Sequence, residues 1–239
     1  MLLISSNFYA ILLFIIITAC QEKPEKKARQ AVSTIDSIQK KAPEKDTIQE
    51  KKKEPFVLNE DNAIPFFFEY AKKHKENKVK ISTRFGSFVV ELYDRTPYHR
   101  ANFIYLTKKG YFNGSYFHRV VKDFIIQGGN ADNKKISEKR KAIGRYLLPP
   151  DTRKGYKHHR GTISMPSSDI DNPHKLASPY EFFIVVKKPG SYHLDDDYTA
   201  FGRVIQGMEV VDKINAQPTD AGEWPLQNIV IDSVTIVEQ

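Results

Sequence analysis

Tyr116-Phe117-His118-Arg119-Val120-Val121-Lys122-Asp123-Phe124-Ile125-Ile126-Gln127-Gly128-Gly129 sets an arginine among apolar residues. A phenylalanine follows five positions on, then a glutamine and two glycines. The pattern predicts two short strands with a tight turn between them. Paired in this way, Arg119, Phe124 and Gln127 converge on one cleft. A surface salt bridge would not need the apolar strand residues that flank Arg119. Guanidinium is always charged and presents a rigid fork of donors.

Further strand signals surround this pair. Residues 79–83, 88–92, 161–165, 181–186, 199–204 and 229–237 are β-branched and aromatic, often alternating. Two helices interrupt them. Thr96-Pro97 supplies the N-cap and first helical position of one, which Gly110 ends. The other runs from Gly207 to Ala216 and stops near Pro218. Many strands with two helices predict a mainly β fold, a closed antiparallel barrel capped at both ends. Closure also removes exposed sheet edges.

Upstream, the chain changes character three times. Residues 8–19 form an apolar run broken only by Thr18, too short for a spanning helix and suited to a signal peptide over residues 1–19. The run ends in Ile17-Thr18-Ala19-Cys20, which resembles a bacterial lipoprotein processing site, so Cys20 is the expected lipidation site. Residues 1–7 lack the Lys or Arg that such leaders usually carry. Cys20 is the only cysteine of 239 residues, which excludes an intrachain disulfide. Residues 20–55 are rich in Lys, Glu and Gln and cannot bury enough apolar surface to fold alone, so they read as a lipid-anchored tether. Residues 56–77 predict a short helical extension. Asn59 and Asn62 offer caps, Pro65 is tolerable in a first turn, and the Phe66-Phe67-Phe68 stripe is expected to dock on the barrel. The folded domain then spans residues 78–239.

The strings themselves resemble the cyclophilins, peptidyl-prolyl cis-trans isomerases built on a closed eight-stranded β-barrel. Residues 116–129 resemble the family signature, and Phe85-Gly86-Ser87-Phe88 its opening hairpin. Gly110-Tyr111-Phe112-Asn113-Gly114, Gly161-Thr162-Ile163-Ser164-Met165, Glu181-Phe182-Phe183-Ile184 and Phe201-Gly202-Arg203-Val204 resemble further segments. The resemblance covers about two-thirds of the chain.

It implies isomerisation of X-Pro bonds in polypeptide clients, with no cofactor. A peptide bond resists rotation by about 18–20 kcal/mol because nitrogen shares its lone pair with the carbonyl. Twisting localises the lone pair on the prolyl nitrogen, where a guanidinium gains a hydrogen bond absent from the planar ground state. Arg119 is thus the implied catalytic residue. Gln127 is expected to orient the client carbonyl and to hold Arg119. Phe124, Ile125, Phe183 and Leu194 are expected to wall the proline pocket, with Met165, Pro166, Glu181, His193 and Tyr198 beside it. Isomerisation transfers no proton, so His118 reads as a structural histidine. Four positions depart from the commonest family pattern: Glu181 replaces glutamine, Pro166 alanine, His193 tryptophan and Tyr198 histidine. Glu181 adds negative charge near the groove and is expected to pair with a cation.

Between Asn130 and Arg160, where the family carries glycine-rich loops, the chain is basic and reads as a solvated face. His158 and His159 are adjacent and point apart on a strand, so no metal is expected. The net charge of +8 raises nucleic acid as a partner. However, the basic residues are dispersed without aromatic interleaving, so nucleic acid is not expected. A monomer at the cell envelope, on a bacterial membrane facing the periplasm or in the outer membrane, is the expected state.

Overall fold

In the computed structural model, residues 56–167 and 171–237 are described; residues 1–19, Cys20 and the rest of 20–55 lie outside them. Eight strands close into a barrel. In chain order they are β1 (Lys78–Thr83), β2 (Gly86–Leu92), β3 (Tyr116–Val121), β4 (Ile125–Asn130), β5 (Thr162–Met165), β6 (Phe182–Val185), β7 (Thr199–Gln206) and β8 (Ile229–Ile236). Around the barrel they run β1-β2-β7-β5-β6-β4-β3-β8, and β8 pairs with β1. Every pairing is antiparallel. Alternation decides which side chains point inward. Val79, Ile81, Phe88, Val90 and Leu92 are buried at every second position. β5 and β6 are buried along their whole length, because loops cover their outer face.

Four helices accompany the barrel: α1 (Ala63–Lys73), α2 (Pro97–Lys108), α3 (Lys134–Ile143) and α4 (Met208–Asn215). As expected, α2 and α4 cap it. Phe103 of α2 stacks on Phe112 at 4.7 Å and meets Phe182 and Phe201 edgewise or tilted. Val210, Val211 and Ile214 of α4 are buried.

In α1 the phenylalanine stripe divides. Phe67 is fully buried against Tyr105 and Tyr146, Phe66 packs on Tyr105 at 5.1 Å, and Phe68 remains half exposed. Buried Arg100 of α2 donates to the carbonyls of His74, 2.9 Å away, and Glu76, tying the C-terminal end of α1 to α2. The docking surface is therefore α2 and the Tyr146 segment.

The basic stretch expected to be a solvated face contains α3. Asn133 accepts from the Ile136 amide at 2.9 Å, and Ile136 and Ile143 are buried. Lys139 is turned inward, with Nζ donating to the carbonyls of Gly110 at 2.6 Å and Asn113 at 2.7 Å. Gly144 ends the helix at φ 131°, and a Cβ there would overlap the backbone of Leu58, with which it bridges. Among the described residues no helix is long and apolar enough to cross a membrane.

Candidate active site

β3 and β4 place Arg119 opposite Gln127. The turn between them is held from below by Asn215 of α4. Its side chain accepts from the Asp123 amide at 2.9 Å and donates to the Val121 carbonyl at 2.8 Å. Asp123 has φ 56°, a region that aspartate tolerates better than most residues. The Phe124 carbonyl then accepts from Val186, which pins the phenylalanine at the mouth of the barrel wall.

Beside these strands lies a cavity of about 690 Å³. Its apolar end is built from Phe124, Ile125, Phe183, Leu194 and Tyr198. Tyr198 meets Phe183 edge-on at 5.6 Å. Behind Phe183 a buried polar chain fixes the wall. The His158 ring stacks 6.0 Å from Phe183, its Nδ1 lies 2.8 Å from Asp195 Oδ1, and its Nε2 lies 3.0 Å from Ser164 Oγ. Burial lowers the His158 imidazole, and the Asp195 carboxylate only partly offsets this. Asp195 follows Leu194 in the chain, so the same contact holds the loop that carries Leu194.

The polar end carries Arg119, Gln127, Glu181, Pro166, Ser167 and Ser178. Burial pushes the Glu181 carboxyl up, but bonding and charge from His118 and a bond from Gln127 outweigh it, so the carboxyl lies below its usual range. An ionised carboxylate can only accept. Gln127 accordingly turns its amide nitrogen to Glu181 at 2.9 Å, Asn130 donates to the other oxygen at 3.1 Å, and His118 Nε2 lies 3.5 Å away. The nearest potential cation to Glu181 is thus His118.

This geometry departs from the sequence reading in three places. Gln127 was expected to hold Arg119 and is bonded to Glu181 instead. Arg119 Nε donates to Glu223 Oε2 at 2.6 Å, because a full negative charge attracts a guanidinium more strongly than a neutral amide does. Met165 does not line the cavity. It is buried in the main core behind Pro166. His193 is likewise not a lining residue, and stacks at 5.6 Å and 19° on Phe124. Arg119, Phe124, Ile125, Gln127, Pro166, Glu181, Phe183, Leu194 and Tyr198 do come together on one cavity. Sequence reasoning missed Ser167, Ser178 and Glu223. The serines sit in a segment without periodicity, and Glu223 lies 104 residues from Arg119.

Chemically, the cavity offers an apolar slot of ring-accepting shape with a fixed cation at its rim. A cation held beside an apolar slot suits reactions that need binding and charge placement.

Comparison with known proteins agrees with this geometry. Residues 78–236 match the family described as cyclophilin type peptidyl-prolyl cis-trans isomerase/CLD. Peptidyl-prolyl cis-trans isomerase CYP18-1 of Arabidopsis thaliana is 36% identical over 160 residues, covering 66% of this chain and 94% of that protein. Peptidyl-prolyl cis-trans isomerase-like 2 of Rhizopus delemar is 34% identical over 169 residues, covering 70% of this chain, which spans only 30% of that longer protein. The crystal structure of a cyclophilin type isomerase of Cryptosporidium parvum, determined in the presence of the dipeptide Ala-Pro, superposes with a TM-score of 0.57. It has 27% identity and covers 68% of this chain and 99% of that one.

Proposed function

The chain belongs to the cyclophilin type peptidyl-prolyl cis-trans isomerase family, and on that premise we propose that it accelerates X-Pro rotation in exported proteins, with Arg119 stabilising the twisted amide. The observation that carries this reading is the placement of the Arg119 guanidinium at the rim of the apolar slot formed by Phe124, Ile125, Phe183, Leu194 and Tyr198. A prolyl ring seated in that slot brings its nitrogen toward the guanidinium. As the amide twists, the nitrogen lone pair becomes an acceptor and Arg119 donates to it. The donor is strongest in the transition state, which is the condition for raising kcat. Gln127 orients the client carbonyl from the neighbouring strand. No proton moves, so His118 and His158 have packing and bonding roles only.

The exported setting is supported by the apolar run at 8–19, the Ile17-Thr18-Ala19-Cys20 junction and the polar segment that follows. Cys20 carries the lipid, residues 20–55 tether the barrel to the envelope membrane, and the clients are proline-containing polypeptides. The closed barrel leaves no sheet edge for strand addition, which favours a monomer.

The test follows cis-to-trans conversion of a short X-Pro peptide by the native chain and by Arg119→Ala. Native protein accelerates conversion, and the variant loses about 10²–10³-fold in kcat with an unchanged circular dichroism spectrum. A folded native protein that gives no acceleration sinks the isomerase reading and leaves a module that holds proline segments without turnover.

A further inference from the structure

Of the described non-glycine residues with positive φ, Asp123 directly precedes the lining residue Phe124 and Glu223 is bonded to the lining residue Arg119. Asp123 belongs to a residue type that enters this region readily. Glu223, at φ 63°, does not. Strain of this kind persists only where its surroundings impose it, and it clusters at functional sites.

What imposes it is Asp220. Its Oδ1 accepts from the amides of Gly222 and Trp224, both at 2.9 Å, its own amide donates to the Trp224 carbonyl at 2.9 Å, and its carbonyl accepts from the Glu223 amide at 3.1 Å. The loop is wound around this one side chain, with Glu223 at its apex. From there Glu223 grips β3 twice. Its carbonyl accepts from the Val120 amide at 2.8 Å, and its carboxylate accepts from Arg119 Nε at 2.6 Å. The next residue, Trp224, packs its ring 5.9 Å from His118. Three consecutive residues of β3 are therefore met by two residues of the loop, and the central contact is a short, charge-assisted bond to the arginine.

Which nitrogen is held matters. A carboxylate that sequestered the guanidinium would take two nitrogens in the parallel fork that arginine offers. Glu223 takes Nε alone. The two terminal nitrogens have no partner among the described residues. A planar group fixed at Nε can no longer swing about its stem, so its outer edge keeps one direction.

Resting on the isomerase reading above, we propose that Glu223 is a positioning residue, a carboxylate that locks Arg119 through Nε and so preorganises the terminal nitrogens for the twisted amide. The strained backbone at residue 223 is what brings the carboxylate there. Activity and stability consequently pull in opposite directions at this position.

The experiment compares the native full chain with Glu223→Gln, Glu223→Gly, Arg119→Ala and the Arg119→Ala/Glu223→Gln double variant, each assayed on one X-Pro peptide and melted by circular dichroism. Glu223→Gln lowers kcat about tenfold, the scale of one charge-assisted hydrogen bond, with KM unchanged. Glu223→Gly lowers kcat at least as much yet melts no lower than native, since glycine adopts this φ freely. The double variant is no slower than Arg119→Ala alone, because the two residues act as a unit. A merely structural role would instead lower Tm and kcat together. An unchanged kcat in Glu223→Gln, with Arg119→Ala still inactive, overturns the positioning role and leaves the isomerase reading standing. A raised kcat overturns it in favour of sequestration. No turnover by the native chain removes both readings.

Discussion

His99 lies in α2 with its ring fully buried 6.1 Å from Phe201, and neither ring nitrogen has a hydrogen-bond partner among the described residues. Burial alone pulls its imidazole from the ordinary 6.5 down to about 3. The sign of the consequence follows from proton counting. Between these values the unfolded chain binds a proton that the folded chain refuses, so stability rises with pH across the window and is lost as pH falls through it. Moving from pH 7 to pH 5 costs about 2 kcal/mol at this one residue. Replacing the ring by an apolar side chain removes that cost. In His99→Leu the fall in Tm between pH 7 and pH 5 should shrink by about 4–8 °C relative to native. An identical fall in both proteins would mean that His99 is hydrated or protonated in the fold. Glu181 adds to the same acid limb. Its folded value is depressed, so the stability it contributes is present above the unfolded carboxyl range and lost as pH falls through the folded one. Residue-scale reading of sequence reaches such sites unevenly. Arg119, Phe124 and Gln127 announce themselves because strand alternation fixes their direction. The partners of Arg119 and Gln127 do not, since which carboxylate meets which donor is decided by contacts that close across 104 and 54 residues.

Among the elements, legibility followed periodicity. The strands were readable because burial on one face forces alternation, as in β1 and β2, or a continuous apolar run, as in β6. The capping helices were readable from Thr96-Pro97 and from the stop near Pro218. α3 was overlooked although its signals are present: Asn133 as cap, Ile136 and Ile143 one heptad apart, and Gly144 as the stop. The six positions between them include Glu138, Lys139, Arg140 and Lys141, and that charge reads as solvated surface. The long stem of Lys139 reaches back to three backbone carbonyls and changes the answer. In α1 the stripe of three phenylalanines could not show which ring is buried. Helical geometry turns consecutive residues about 100° apart, and only Phe67 faces α2 fully. Phe67→Ala should therefore cost about 3–5 kcal/mol in chemical denaturation, while Phe68→Ala stays within about 0.5 kcal/mol of native. The folded Phe67→Ala protein should keep its native kcat/KM on an X-Pro peptide, because α1 contributes no residue to the cavity. Equal costs for the two substitutions would contradict the docking seen here.

For the molecule as a whole, barrel closure is what gathers the site. Arg119 and Gln127 come from adjacent strands, Phe183 from the next strand around, and Leu194, Tyr198 and Glu223 from loops at the same mouth. All of them belong to the unit Lys53–Gln239. The tether proposal accordingly predicts that catalysis and attachment are separable. A lipid on Cys20, as proposed above, would set where the chain resides, whereas the geometry at Arg119 is made by residues of the barrel and its loops. On the lipoprotein reading, the whole native chain expressed in a bacterial host should incorporate radiolabelled palmitate and sediment with membranes. Cys20→Ser should do neither, and should retain kcat/KM within about twofold, since no interaction made in the transition state has been removed. Label retained in Cys20→Ser would place the acyl group elsewhere and end the lipoprotein reading. Loss of activity in the released protein would show that the membrane or the tether takes part in turnover, contrary to a site assembled wholly within one closed barrel.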